Sequence, residues 1–286
     1  MGCTFFWRLL AIWRGEKPIS NKTTQLLQQT LSDWSQWETS FASKPQVTSA
    51  LEDGLTNNSF IVEAGSQRAV VRINNPKANL LGVDRLSEIT ILQQLQPTGL
   101  VPKIFFANSD VLVSEYIEGT ALDAKNMADP GILISIKNAL QVIQSIKLPH
   151  SKSRNYAAYC RDYCHQLEPL FLSKLLSQAI YKLAEKIDVS QWQPVLCHHD
   201  LIPENIIVRS SGLSIIDWEY AAMGHPQFDC LRIFNAEQIT TADMPAEYPS
   251  LQMLQAVMDQ LWFAIRYPEL QVSLEQKLIN IIGKDS

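Results

Sequence analysis

Four residues within one short stretch have the types and spacing for chemistry on a hydroxyl group: His198, Asp200, Asn205 and Asp217. Asp200 sits in the run Leu196-Cys197-His198-His199-Asp200-Leu201-Ile202-Pro203-Glu204-Asn205. Two apolar β-forming runs follow, Ile206-Ile207-Val208 and Leu213-Ser214-Ile215-Ile216, around the turn Ser210-Ser211-Gly212. The glycine supplies the positive φ that a tight hairpin loop demands. With the turn centred on Ser211, Asn205 and Asp217 each lie six residues away and face one another across the hairpin. Directly opposed residues have Cα atoms roughly 4.5–5.5 Å apart. An amide oxygen and a carboxylate so placed suit Mg2+, a hard ion that takes oxygen ligands and keeps water or phosphate oxygens in its shell. Asp200, on a proline-containing loop, then approaches the same ion from the other side, where it would orient and deprotonate an attacking hydroxyl. A base and paired metal ligands are the parts that phosphoryl transfer needs.

The order H-x-D-x-x-x-x-N, a short hairpin, then Asp is that of a kinase catalytic loop and metal-binding aspartate. His198 would hold the loop in place. Together with Ile216-Asp217-Trp218-Glu219-Tyr220-Ala221 and Gly224-His225-Pro226-Gln227-Phe228-Asp229, this stretch resembles the aminoglycoside phosphotransferase and choline kinase superfamily. The I-D-W-E-Y-A run is similar to that of bacterial choline and ethanolamine kinases, and also of thiamine kinase. The likeness covers residues 46–265. It implies ATP and Mg2+ as cofactors, Asp200 as catalytic base, Asn205 and Asp217 as metal ligands, and Asp229 as a buried brace for the catalytic loop. It implies further that Gly54-Leu55-Thr56-Asn57-Asn58-Ser59 covers the phosphates, with Asn57 at the nucleotide. Arg72 takes the position of the phosphate-binding cation and Glu88 that of its ion-pair partner. Glu115 and Ile117 would offer backbone groups to the adenine from the run Ser114 to Gly119. Two departures stand out. Protein kinases carry Lys at the Arg72 position, which leaves Lys77 as a reserve candidate, although Arg keeps its charge and grips phosphate bidentately. Asp217 is followed by Trp218-Glu219, not Phe-Gly.

The elements that must position these residues are legible in outline. Leu26, Leu27, Leu31, Trp34 and Trp37 recur at helical spacing, which predicts an amphipathic helix over 22–41. Phe60 to Glu63 and Ala69 to Ile73 flank Ala64-Gly65-Ser66 and predict a hairpin. Residues 83–95 predict a helix with Leu86, Ile89, Leu92 and Leu95 on one face, and 104–106 and 111–116 predict two more strands. Beyond Gly119 the pattern is mostly helical, over 130–147, 154–186 and 251–267, with one β interruption between 195 and 217. The expected fold is α+β: a bilobal protein-kinase-like architecture with a small β-rich lobe and a larger, mostly helical one. The divisions are a helical extension at 1–45, a nucleotide-binding lobe at 46–119 and a catalytic lobe at 120–286.

Composition narrows the partners. The chain has 286 residues, 46% hydrophobic and 19% charged, with a net charge of −5. That is a globular composition, and it argues against a nucleic-acid binder, which shows a basic field. Five scattered cysteines fit free thiols in a reducing cytoplasm. Cys160, Cys164 and His165 lack a second ligand pair and read as core. The segment Met1 to Arg14 is apolar but interrupted by Arg8 and Arg14 and far short of the roughly 20 residues that span a bilayer, so no stable membrane insertion is expected. The expected state is cytoplasmic, monomer or homodimer.

The expected acceptor is a small, cationic alcohol. Trp218, Glu219 and Trp262 combine aromatic faces with a carboxylate, which a quaternary ammonium or thiazolium favours. Choline or ethanolamine leads and thiamine is the alternative. An aminoglycoside or a sugar follows, since residues 220–286 lack the acidic density a polycation needs. A protein kinase would need more than the 69 residues that follow Asp217, and no Ala-Pro-Glu follows. An inactive nucleotide-binding protein would show a damaged triad, whereas Asp200, Asn205 and Asp217 are intact.

Overall fold

The computed structural model describes residues 20–39, 41–51, 56–123, 125–148, 151–167, 171–234, 238 and 246–283. The expectations for Met1 to Arg14, and for Gly54 and Leu55 of the phosphate-covering turn, lie outside the described residues.

The small lobe is an antiparallel sheet. Its strands are β1 (Gln46–Leu51), β2 (Asn58–Ala64), β3 (Gln67–Ile73), β4 (Ile104–Ala107) and β5 (Val111–Glu115), in the spatial order β1-β2-β3-β5-β4. Strand side chains alternate between faces. Val62, Ala69, Val71, Ile73 and Val113 point to one face and pack with Leu27, Leu31, Trp37 and Phe41 in a single core. The alternation turns Arg72 to the opposite face. Leu27 and Leu31 lie on helix α1 (Asn21–Ser32), whose Ser20 hydroxyl caps the Thr23 N–H. The described part of the helical extension thus contributes Leu27, Leu31, Trp37 and Phe41 to the sheet's core. It stops at Ser32, short of the expected 41, because the Glu38 N–H donates to the Phe105 carbonyl at 2.8 Å and draws the chain against β4.

Helix α2 (Arg85–Leu95) crosses between β3 and β4, with Asp84 as its N-cap. Its buried face is Glu88, Ile91, Leu92 and Leu95, while Leu86 is exposed. The face is rotated from the one expected because Glu88, though charged, must meet Arg72 inside.

The larger lobe packs α3 (Pro130–Ser145), α4 (Tyr156–His165), α5 (Lys174–Asp188), α6 (Phe228–Ile233), α7 (Tyr248–Arg266) and α8 (Leu274–Ile282). The stretch expected as one helix over 154–186 is two, the second opening on a Ser173 cap. The β interruption is also two small sheets: β6 (Thr120–Ala121) with β8 (Ile206–Arg209) and β9 (Gly212–Ile215), and β7 (Val195–Cys197) with β10 (Ala222–Gly224). The chain enters this lobe through Gly119, where a Cβ would stand 2.4 Å from the Val208 carbonyl oxygen. Only glycine lets the connection run this close to β8. Cys160 and Cys164 are buried on α4 within the core of the larger lobe, where burial pushes both thiols up.

Candidate active site

The catalytic loop lies between β7 and β8 and is fixed from beneath. Asp229, fully buried at the start of α6, accepts the His198 N–H at 2.7 Å and the His199 N–H at 2.9 Å. Burial raises its proton affinity, while His198 and the two N–H bonds act against that rise. His198 is buried against Trp218, with ring centroids 4.7 Å apart. Its Nε2 bonds the Ile216 carbonyl at 2.9 Å, and its Nδ1 accepts the Asp200 N–H at 3.3 Å. His198 therefore positions the loop and does not reach the reacting groups. His199 adopts φ of 64°, a left-handed conformation that costs energy for a non-glycine residue and clusters at functional sites.

Asn205 and Asp217 meet at the head of the β8–β9 hairpin, in a register one residue from that expected. Arg209 pairs with Gly212, so the loop is the two residues Ser210 and Ser211, and Asn205 faces Ile216. The Ile216 N–H donates to the Asn205 carbonyl at 2.9 Å. Asp217 is the next residue and swings off the strand with φ of 64°. The Asn205 Nδ2 donates to the Asp200 carbonyl at 2.9 Å, which turns its Oδ1 the opposite way.

These oxygens fit Mg2+. Although its side chain is 42% exposed, partial desolvation and then the Glu219 charge raise Asp217 above the usual carboxylate range, Asp200 and Glu88 add to this, and Arg72 opposes it. Such a surplus of negative charge marks a place that gains from a cation. Among the described residues no trio of His, Cys, Asp and Glu gathers to hold a metal by itself. One carboxylate and one amide oxygen suit Mg2+, which takes its remaining ligands from water and phosphates.

Arg72 and Glu88 pair across the lobe at 2.7 Å, and the Arg72 Nε donates to Asn74. The Arg72 Nη1 lies 3.8 Å from Asp217 Oδ1, which brings the small lobe's cation to the Asp217 carboxylate. Arg85 completes this group and was not foreseen. It donates to Glu88 at 2.9 Å and to Asn57 at 2.6 Å, and pairs with Glu219 at 2.9 Å. A cation three residues before Glu88 at a helix start was the available signal. Lys77 is exposed.

Several expected roles change. Glu219 is 3% exposed and held by Arg85 and by the Asn57 amide at 2.7 Å, so it ties the two lobes together and does not face an acceptor. Trp218 is 1% exposed, with its indole N–H on the Ile215 carbonyl, and belongs to the core. Trp262 is half-buried with its N–H on Tyr220 Oη, and keeps a place near the site. The Asn57 side chain is taken up by Arg85, Glu219 and the Asn75 N–H, so only its backbone remains for a phosphate. The Glu115 N–H and carboxylate both engage the Lys103 backbone, which leaves its carbonyl for a base, and Ile117 is half-buried beyond it. A second ionic group was also missed. Arg232 on α6 donates to Asp200 Oδ1 and to Asp259 Oδ1 of α7, each at 2.7 Å. Its only sequence signal was a charge inside an apolar helical run.

The sequence model of the choline/ethanolamine kinase family matches residues 48–267. The chain belongs to this family. Mouse ethanolamine kinase 2 is 28% identical over 206 residues, which cover 66% of this chain and 52% of the mouse protein. The chain spans 45% to 60% of the length of the mammalian ethanolamine kinases it matches. A LicA homolog of Mycoplasma capricolum is 22% identical over 78% of this chain and 97% of its own. The choline kinase LicA of Streptococcus pneumoniae superposes with a TM-score of 0.72 at 19% identity, over 92% of this chain and 100% of LicA. A gentamicin complex of APH(2")-IIa superposes at 0.63 and 14% identity. The choline/ethanolamine kinase family therefore shares with these enzymes the bilobal kinase-like fold found here.

Proposed function

We propose that the protein transfers the γ-phosphoryl group of ATP to the hydroxyl of a small amino alcohol of the choline and ethanolamine class. The observation that carries this reading is the convergence of Asp200, Asn205 and Asp217 with the Arg72–Glu88 pair from the facing lobe. Family membership supports the acceptor class and lends nothing to thiamine. Asn205 Oδ1 and Asp217 would hold Mg2+, which when bound neutralises phosphate charge. Arg72, kept charged by Glu88, would steer the phosphates. Asp200, with Oδ1 held by Arg232, accepts the hydroxyl proton on its other oxygen. The adenine would lie against the 115–119 connection, between a nucleotide lobe at 46–119 and a catalytic lobe at 120–286. No helix among the described residues is long and apolar enough to cross a membrane.

The test is ATP-dependent phosphorylation of an alcohol panel. Ethanolamine or choline is expected to turn over about tenfold or more faster than its neutral isostere, propan-1-ol or 3,3-dimethylbutanol. Equal rates for charged and neutral alcohols would remove the cationic acceptor. Arg72→Ala should raise the KM for ATP and lower kcat, and unchanged ATP kinetics would take Arg72 out of the site.

A further inference from the structure

We propose that Arg232 and Asp259 make the acceptor site select alcohols with a primary amine over quaternary ones, an inference that rests on the amino-alcohol reading above. Arg232 bridges the catalytic carboxylate to a second one, Asp259, by hydrogen bonds of 2.7 Å on either side. The three side chains are 29%, 14% and 34% exposed for Asp200, Arg232 and Asp259, so the group is open to the cleft. Each carboxylate gives one oxygen to Arg232, and no other described side chain hydrogen-bonds either of them. Two carboxylates against one guanidinium leave one negative charge, to be matched by one cation. Desolvation and the Asp200 charge raise the Asp259 carboxyl above its ordinary value although Arg232 opposes this.

The aromatic surface nearby is poorly suited to a quaternary ammonium, which needs open ring faces. Arg154 covers the face of Tyr159 at 4.6 Å and donates to the Tyr220 carbonyl. Trp218 lies in the core. Trp262 and Phe263, three and four residues beyond Asp259 on α7, are half-buried and spend ring surface on each other edge to face and on Tyr267, and the Trp262 N–H is already bonded. A primary ammonium brings N–H donors that the second Asp259 oxygen accepts. The acceptor oxygen can then rest on Asp200, one guanidinium's width away, so a two-carbon spacer joins the two carboxylates. A trimethylammonium brings the charge but no donor, so it would leave the second Asp259 oxygen desolvated without a hydrogen bond. Sites built to hydrogen-bond a substrate reject analogues lacking the donor on this ground.

The experiment is a methylation series on the intact protein with saturating Mg-ATP: ethanolamine, its N-methyl and N,N-dimethyl derivatives, and choline. The expected result is a stepwise fall in kcat/KM, with ethanolamine favoured about 10²-fold over choline, below the 10⁴–10⁵ of fully enclosed sites. Asp259→Asn should lower the ethanolamine value about 10–100-fold, mainly through KM, and compress the ethanolamine-to-choline ratio towards one. ADP-induced thermal stabilisation of the variant should match the parent, which shows it folded. Should the variant not fold, the series on the unmodified protein decides alone. Choline used as well as ethanolamine, or a folded Asp259→Asn that keeps the original ratio, would overturn the proposal. Turnover that favours choline leaves the amino-alcohol reading standing, whereas no turnover of any member removes that reading and the selection with it.

Discussion

Two ionic groups flank the catalytic loop, and they differ in how much they leave unspent. In the first, the side chains of Arg72, Arg85, Glu88 and Glu219 are 2–11% exposed and pair mostly with one another. In the second, Asp200, Arg232 and Asp259 are 14–34% exposed and each carboxylate keeps an oxygen for a visitor. The first joins a strand, a helix and the loop before β2 to the head of the hairpin, so it sets how the lobes meet. The second keeps its reactive group accessible and fixes only one of its two oxygens. A buried network of this kind specifies an arrangement, since removing any member strands a charge. A half-open one tolerates exchange of partner and can therefore take part in a reaction.

The sharpest way to separate the two is Asp200→Asn, which keeps the shape and removes the basic oxygen. The expected loss in kcat is about 10²–10⁴, with ADP affinity retained because Asn205 and Asp217 are untouched. A loss of ADP binding equal to the loss in rate would show that the second group is also architectural. Next in size, Glu88→Ala leaves two guanidiniums without their shared carboxylate at a site 2% exposed. Breaking a buried pair from one side costs about 3–5 kcal/mol, to be read by urea denaturation. A change under about 1 kcal/mol would mean that water reaches the first group and that burial is not what distinguishes it. The smallest expected effect is Gly224→Ala on β10. A Cβ there would stand 2.5 Å from the His199 Nε2 and press on the catalytic loop from behind. Overpacking of this order costs about 1–3 kcal/mol, and kcat should fall with stability because His199 adjoins Asp200. Stability lost with kcat intact would show that the loop keeps its shape without this contact.

The catalytic loop and the small lobe were both readable in the chain, for different reasons. Asp200, Asn205 and Asp217 belong to a local pattern, in which a short loop and a tight hairpin bring distant numbers together. Arg72 was assigned by the family resemblance, and its place on β3 between the core residues Val71 and Ile73 explains why it faces the other way. The hairpin register missed by one residue because Ser210-Ser211-Gly212 accommodates more than one turn centre, and the observed two-residue loop is chosen by pairing along β8 and β9. Trp218 and Glu219 were misread because residue type suggests a cation site equally well in a core and at a surface. Burial against His198 decides the first, and Arg85 decides the second.

The sequence by itself determined the order of the chemistry-bearing residues, the strand run that carries Arg72, and the short loop and hairpin around Asp200. These depend on neighbours a few residues apart, where backbone sterics and turn rules act. Only the tertiary structure decided that Arg85 and Glu219 close the buried network, and that Arg232, itself paired with Asp259, holds the Asp200 carboxylate. Those partners are 27 to 134 residues apart in sequence. Such pairings follow from how the helices and lobes pack, and a charge set in an apolar helical run does not reveal which carboxylate it will meet.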